Sequence, residues 1–285
     1  MPANDSEILI YAAGAGWGHL NRALSLAFKV ASKYKARIIS SSKHAKHIMC
    51  SSAWIDHSLT QRIKLEDLSA LDSASFSKQV QQIFLEKSYE CSVIDTFPRG
   101  LLGELAELRS LQTGTAKVLI HRDINPDYVA KFEIEKFAAN NFDLIINPGE
   151  RTELPLAHLC VKTAPWLLKD ANELPSRQSV RAQTGVTDNE TPFVLICASG
   201  KDDEEDYYIE LTRQIARRYP GIALRCLIAR DLPNEDRLFI NHWPGIDYIC
   251  AADILIGAGG YNTINECEAL KIPLLAMPQG RLYDR

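Results

Sequence analysis

No stretch of the chain is a long uncharged apolar run of the kind a membrane-crossing helix needs. The N-terminus, MPANDSEILIYAAG, passes from a polar lead into an apolar strand without the charged-then-apolar pattern of a secretory leader. Both absences point to a soluble, cytoplasmic protein and leave peripheral membrane association open. CxxC pairs are missing as well. Seven cysteines lie scattered, an odd number, which argues against a disulfide framework or a zinc site and suits a reducing cytosol. The net charge of -4 provides no global basic field, so nucleic acid is not expected as a partner. Internal sequence repeats are absent too.

What is present is 285 residues with 46% hydrophobic content, enough for two α/β domains that each bury a sheet. Short apolar runs at 7–13, 36–40, 91–94, 117–120 and 143–146 read as buried strands separated by helical or turn-rich stretches. Residues 43–90 read as helical and polar in alternation. The segment TAPWLLKDANELPS, 163–176, has two prolines and no period, and reads as an interdomain connection. A second α/β unit follows, with strands over 193–198, 222–229 and 254–256. The fold class expected is therefore α/β: two Rossmann-like, doubly wound domains at 1–163 and 177–285, joined by a linker at 164–176.

Chemistry is concentrated in two glycine turns. In residues 252–278, ADILIGAGGYNTINECEALKIPLLAMP, a strand enters a turn with Gly257, Gly259 and Gly260 and leaves it as a helix. Asn262 or Thr263 is placed to cap that helix, whose first amides and positive dipole end would receive a diphosphate. Glu266, four residues after Asn262 and three after Thr263, shares their face and is placed to accept hydrogen bonds from ribose hydroxyls. Packing of helix on sheet is the plainer explanation of the same glycines. The other turn, GAGWGHLNRALSL at 14–26, opens the first helix. Its Gly14, Gly16 and Gly18 lack the final glycine of a dinucleotide fingerprint, and no acidic residue closes the next strand, so a dehydrogenase is not indicated. His19 stands there over the carboxyl edge of the sheet, where open α/β sheets bind ligands.

Other polar residues reach the same edge. Asp95 ends a strand, either as a turn cap or as a functional carboxylate. Arg122 follows another strand, either shaping an acceptor pocket or pairing with Asp123 to fix a loop. Ser199 and Gly200 form a weaker phosphate loop, because the acidic run 202–206 after it repels anions. Trp243, beside Pro244 and Gly245, either stacks on a base or packs a loop. His44 and His47 have no third ligand at metal-site spacing and read as a solvated helix face.

With these residues quoted, the chain resembles the GT-B glycosyltransferases, within them the family 28 group that includes the enzyme adding N-acetylglucosamine to the peptidoglycan lipid intermediate. GAGWGHLNRALSL is similar to that group's acceptor-side G-x-G-H loop, and residues 252–278 to its donor signature. DTFPRG at 95–100 and HRD at 121–123 are similar to related transferases. The resemblance implies inverting, metal-independent transfer of a sugar from a nucleotide donor, UDP-linked, to a sugar, lipid or small-molecule acceptor. It implies no cofactor and no metal, since the nucleotide-sugar is a substrate. By the same resemblance His19 is the base with Asp95 as its partner. Gly259, Gly260, Asn262, Thr263, Glu266, Trp243, Ser199 and Gly200 serve the donor, and Gly16, Gly18, Arg22 and Arg122 form the acceptor side. Relatives carry donor-sugar glutamines and a crossing helix beyond the position of Arg285, so a shortened donor domain is expected. Two alternatives follow: a nucleotide-sugar hydrolase of the same fold, or an inactive nucleotide-binding remnant or partner subunit.

Overall fold

The computed structural model describes residues 6–149, 160–186, 188, 190–230, 232 and 237–280. The first sheet has seven strands: β1 Glu7–Ala12, β2 Lys35–Ser40, β3 Ile63–Asp67, β4 Cys91–Asp95, β5 Ala116–Ile120, β6 Leu144–Pro148 and β7 Cys160–Thr163. They lie in the order β3-β2-β1-β4-β5-β6-β7 with every pairing parallel. The second sheet has five: β8 Phe193–Cys197, β9 Ala223–Leu227, β10 Phe239–Ile240, β11 Ile254–Ala258 and β12 Leu274–Met277, ordered β10-β9-β8-β11-β12 and again all parallel. Parallel strands need covering on both faces, and the side chains oblige. Leu9 and Tyr11 pack into the core on one face of the first sheet, while Ile8, Ile10 and Ala12 enter the core on the other. In the second sheet Leu195 and Leu255 take one face, Ile196 and Ile256 the other. A fully buried Leu or Ile contributes roughly 1.5–3 kcal/mol, so four such layers fix the strand ends that carry the functional side chains.

Four helices matter for function: α1 Trp17–Val30, α2 Ser73–Glu86, α3 Asp202–Arg218 and α4 Tyr261–Leu270. α1 follows the apolar spacing of an amphipathic helix and buries Leu20, Ala23, Leu24 and Ala27 against β1 and β2. Asp72 caps α2 by accepting from the Ser75 amide at 2.9 Å.

The structure departs from the sequence-based expectations in several places. Residues 43–90 are not all helical, because IKLED forms the edge strand β3, half polar because one of its sides meets no neighbour. After Asp95, residues 101–107 form bends and turns, with a helix only at Leu108–Leu111. In keeping with its charge, by contrast, the acidic run 202–206 opens α3, where negative charge meets the positive helix end. Within the connection 164–176, Trp166 and Leu168 pack on the first sheet's core. Residues 281–285, where a shortened donor domain was expected to show, lie outside the described residues. Among the described residues, no helix is long and apolar enough to cross a membrane.

In both sheets the strand order reverses direction at one point, between β1 and β4 in the first and between β8 and β11 in the second. Loops leave such a switch point in opposite directions and open a crevice at the carboxyl ends. The two carboxyl edges face each other. Lys43, after β2, pairs with Asp202 at the start of α3, and Tyr261 at the start of α4 donates to the Pro148 carbonyl at 2.7 Å.

Candidate active site

The first switch point brings His19 and Asp95 together. β1 ends at Ala12, the chain turns through residues 13–16, and α1 starts at Trp17 with Gly16 as its N-cap, which puts His19 in the first turn. Asp95 is the last residue of β4, the neighbour of β1. His19 Nδ1 lies 2.6 Å from Asp95 Oδ2. An ionised carboxylate only accepts, so Nδ1 carries a proton and, in the neutral ring, the lone pair is on Nε2. Asp95 is fully buried and is clamped by Arg22, whose Nε and Nη2 donate to Oδ1 and Oδ2 at 2.6 and 2.7 Å. Burial alone would push this carboxyl up. The Arg22 charge, then the His19 bond, override it and hold Asp95 well below the usual carboxylate range.

Two features of this relay were not foreseen from sequence. Thr96 takes a left-handed backbone, φ +65°, at a cost of about 1–3 kcal/mol for a branched residue. Its hydroxyl donates to Asp95 Oδ2 at 3.3 Å and accepts from Arg22 at 3.2 Å, so the strained turn adds a further hydrogen bond to the carboxylate. Gly14 has a specific reason to be glycine, since a Cβ there would sit 2.1 Å from His19 Cδ2 and 2.8 Å from Nε2. Any side chain at 14 would occupy the space beside the ring's free nitrogen. The Gly14 amide is itself held by Ser41 Oγ at 2.9 Å, and Phe97 packs beside the His19 ring with centroids 5.5 Å apart.

At the second switch point β11 leads through Gly259 and Gly260, both exposed, into α4. Gly260 is the N-cap and no side chain caps the helix. The expectation that Asn262 or Thr263 caps it is corrected: both lie inside the first turn, half-buried, with amides among those an α-helix leaves without an internal acceptor. No acidic residue occupies that turn. Glu266 lies one turn on, 8% exposed, and no hydrogen bond to its carboxyl forms among the described residues. Burial pushes its pKa up to about 8. A carboxyl so placed gains from any hydroxyl brought to it.

The loop after β8 is unlike the α4 turn. Gly200, φ +131°, lets the chain fold over Glu204, whose carboxylate would lie 1.9 Å from a Cβ at 200 and accepts from the Lys201 amide at 2.7 Å. With four acidic residues in its first turn, α3 has its positive end neutralised from within, so Ser199 and Gly200 line the edge without an anion-binding helix end behind them.

Three residues expected to face ligands face the domain boundary. Trp243 is 5% exposed, belongs to the first sheet's core and donates from Nε1 to Asn21 Oδ1 at 3.1 Å, which leaves no open ring face for a base. Arg22 is fully buried behind the relay, with its guanidinium 5.1 Å from the Tyr261 ring centroid. Arg122, 5% exposed, lies 4.8 Å from the same ring. Neither arginine is on an open acceptor loop; Gly16 and Gly18 are partly exposed and have free space around them. His44, expected on a solvated face, is buried and stacked on Trp17 at 4.1 Å, with His47 edge-on to the same ring at 5.8 Å. Burial, Lys43 and His47 together lower its pKa to about 4. Among the described residues no group of three or more His, Cys, Asp or Glu gathers as a metal site would.

No protein-family model matches the chain, and no curated protein sequence does either. Solved structures do match in fold. The glycosyltransferase SsfS6 of Streptomyces sp. SF2575, complexed with thymidine diphosphate, superposes with a TM-score of 0.62 at 12% identity, covering 96% of this chain and 82% of that one. The spinosyn forosaminyltransferase SpnP gives 0.60 at 14%, covering 96% and 80%. Phytolacca americana UGT2, complexed with UDP-2fluoro-glucose and pterostilbene, gives 0.52 at 12%, covering 98% and 81%. At such identities the likeness establishes architecture: two facing parallel α/β domains in the GT-B arrangement.

Proposed function

We propose that this chain is a glycosyltransferase that moves a sugar from a nucleotide donor, UDP-linked, onto an acceptor hydroxyl with inversion and without a metal. The observation that carries the reading is the His19–Asp95–Arg22 relay at the switch point of one GT-B domain, facing the α4 turn of the other. His19 Nε2 takes the proton from the acceptor hydroxyl as its oxygen attacks the anomeric carbon, and Asp95 holds the ring and offsets the imidazolium charge. The bond from that carbon to the diphosphate oxygen breaks, and the diphosphate leaves with the electron pair. Its charge is met by the first-turn amides of α4 around Asn262 and Thr263, while Glu266 takes the ribose hydroxyls. Attack opposite the leaving group inverts the anomeric centre.

The family 28-like group remains the closest reading of the two motifs, and a cytoplasmic location suits a soluble nucleotide-sugar. The test is calorimetric titration with UDP, followed by product analysis with UDP-sugars in the presence and absence of candidate acceptors. A glycosylated acceptor upholds transfer. Free sugar and UDP without any acceptor identify the same relay as a hydrolase, and no detectable heat at millimolar UDP rejects the donor site.

A further inference from the structure

Within the run G-G-Y-N-T, the residue between the glycines and Asn262 is a tyrosine whose side chain points away from the turn and into the opposite domain. Tyr261 is 7% exposed. Its ring has the Arg22 guanidinium 5.1 Å and the Arg122 guanidinium 4.8 Å from its centroid. Its hydroxyl donates to the Pro148 carbonyl at the end of β6, 2.7 Å, and accepts from the Trp166 amide in the connecting segment, 3.1 Å. Arg22 is thus shared, donating to both oxygens of Asp95 while meeting the Tyr261 ring. Next to it on α1, Asn21 accepts from Trp243 of the second domain at 3.1 Å.

We propose that Tyr261 is a positioning residue: a latch that fixes the diphosphate-binding end of α4 against the arginine that holds the His19–Asp95 pair. The role assigned to the fixed distance rests on the glycosyltransferase reading; the latch itself does not. Tyr261 is the first residue of α4, so the amides at 262 and 263 are one and two residues from a side chain anchored at three points in the other domain and one in the connecting segment. An attacking hydroxyl held at His19 and a leaving diphosphate held at α4 must lie in line. Displacement of one side by about 1 Å is enough to cost on the order of 100-fold in rate.

The test compares wild type, Tyr261→Phe and Tyr261→Ala. Small-angle scattering reads the latch without ligand: Tyr261→Ala should show a larger radius of gyration at an unchanged circular dichroism spectrum, with Tyr261→Phe, which keeps the ring between the arginines, in between. UDP titration, and UDP release from UDP-glucose with candidate acceptors present, read the positioning. The expected split is a UDP affinity within about threefold of wild type and a kcat lower on the order of 100-fold for Ala, about tenfold for Phe. Affinity falling in step with kcat would overturn the proposal, because Tyr261 would then only fold the turn; so would an unchanged kcat. If wild type binds or releases no UDP, scattering alone decides: an unchanged radius of gyration in Tyr261→Ala rejects the latch, and a larger one upholds it.

Discussion

Replacing Asp95 by asparagine changes one charge and almost no volume, which makes it a sharp probe of the relay. In the wild type, Arg22 and Asp95 are both fully buried and joined by two hydrogen bonds at 2.6 and 2.7 Å. Asparagine leaves the Arg22 guanidinium buried without its counter-charge, and breaking one side of such a pair costs about 3–5 kcal/mol. The second consequence is chemical. A carboxylate only accepts and so dictates a proton on Nδ1, whereas an amide also donates and permits the tautomer in which Nε2 is blocked. By analogy with other His–Asp pairs, kcat should fall on the order of 10⁴-fold. The pH dependence has a definite sign. The folded carboxyl sits below its unfolded value of about 3.9, so its contribution is complete above about pH 4 and is lost as pH falls toward the folded value. Urea denaturation should therefore show a constant gap between wild type and Asp95→Asn from pH 5 to 8 that narrows below about pH 4. A gap under about 1 kcal/mol at neutral pH, or a kcat within tenfold of wild type, would refute the reasoning.

Three more outcomes follow. Gly14→Ala puts a methyl 2.1 Å from His19 Cδ2 and should abolish turnover while leaving UDP affinity, measured by calorimetry, unchanged. Glu266, with its pKa raised to about 8 by burial, holds its proton more tightly folded than unfolded. Its charging therefore removes stability as pH rises from about 4.3 through 8, on the order of 5 kcal/mol in full. The stability of wild type relative to Glu266→Gln should fall over that range. Because ribose hydroxyls favour the carboxylate, UDP binding at pH 7 should release a proton in wild type and none in Glu266→Gln, read from the buffer dependence of the binding heat. His44, lowered to about 4, is neutral when folded and more readily protonated when unfolded, so its own contribution to stability should fall by roughly 3 kcal/mol as pH drops from 6.5 to 4, opposite in sign to that of Glu266. Thermal melts should show wild type losing that stability relative to His44→Phe, which keeps a ring against Trp17, between those pH values.

Element types that stand on strong periodicity were legible in the sequence. The runs ILIYAA and VLIC and the turns at Gly14 and Gly259 announce parallel strands with glycine turns at the carboxyl edge, and the sheets are built so. Half-polar edge strands were not, since IKLED has no apolar run to announce it and its partner β2 lies over twenty residues upstream. Within the site, the types of residue could be named, but not their direction. Sequence places Arg22 on the first turns of a helix near a ligand edge; only the packing of α1 on β1 and β2 turns it inward onto Asp95. Trp243 and Tyr261 are the same kind of case, because contacts across two domains have no local signature. Thr96 left no trace at all, as a positive φ at a β-branched residue runs against its own propensity and is held by the bonds around it.

The central claim is that a histidine on one domain acts on a nucleotide-sugar held by the other. The most direct measurement follows UDP release from a UDP-sugar in the presence of candidate acceptors by wild type and His19→Ala, alongside UDP titration of both. The account predicts equal UDP affinity in the two proteins and release by wild type alone. Equal release by both, or no UDP binding by wild type at millimolar concentration, would contradict it.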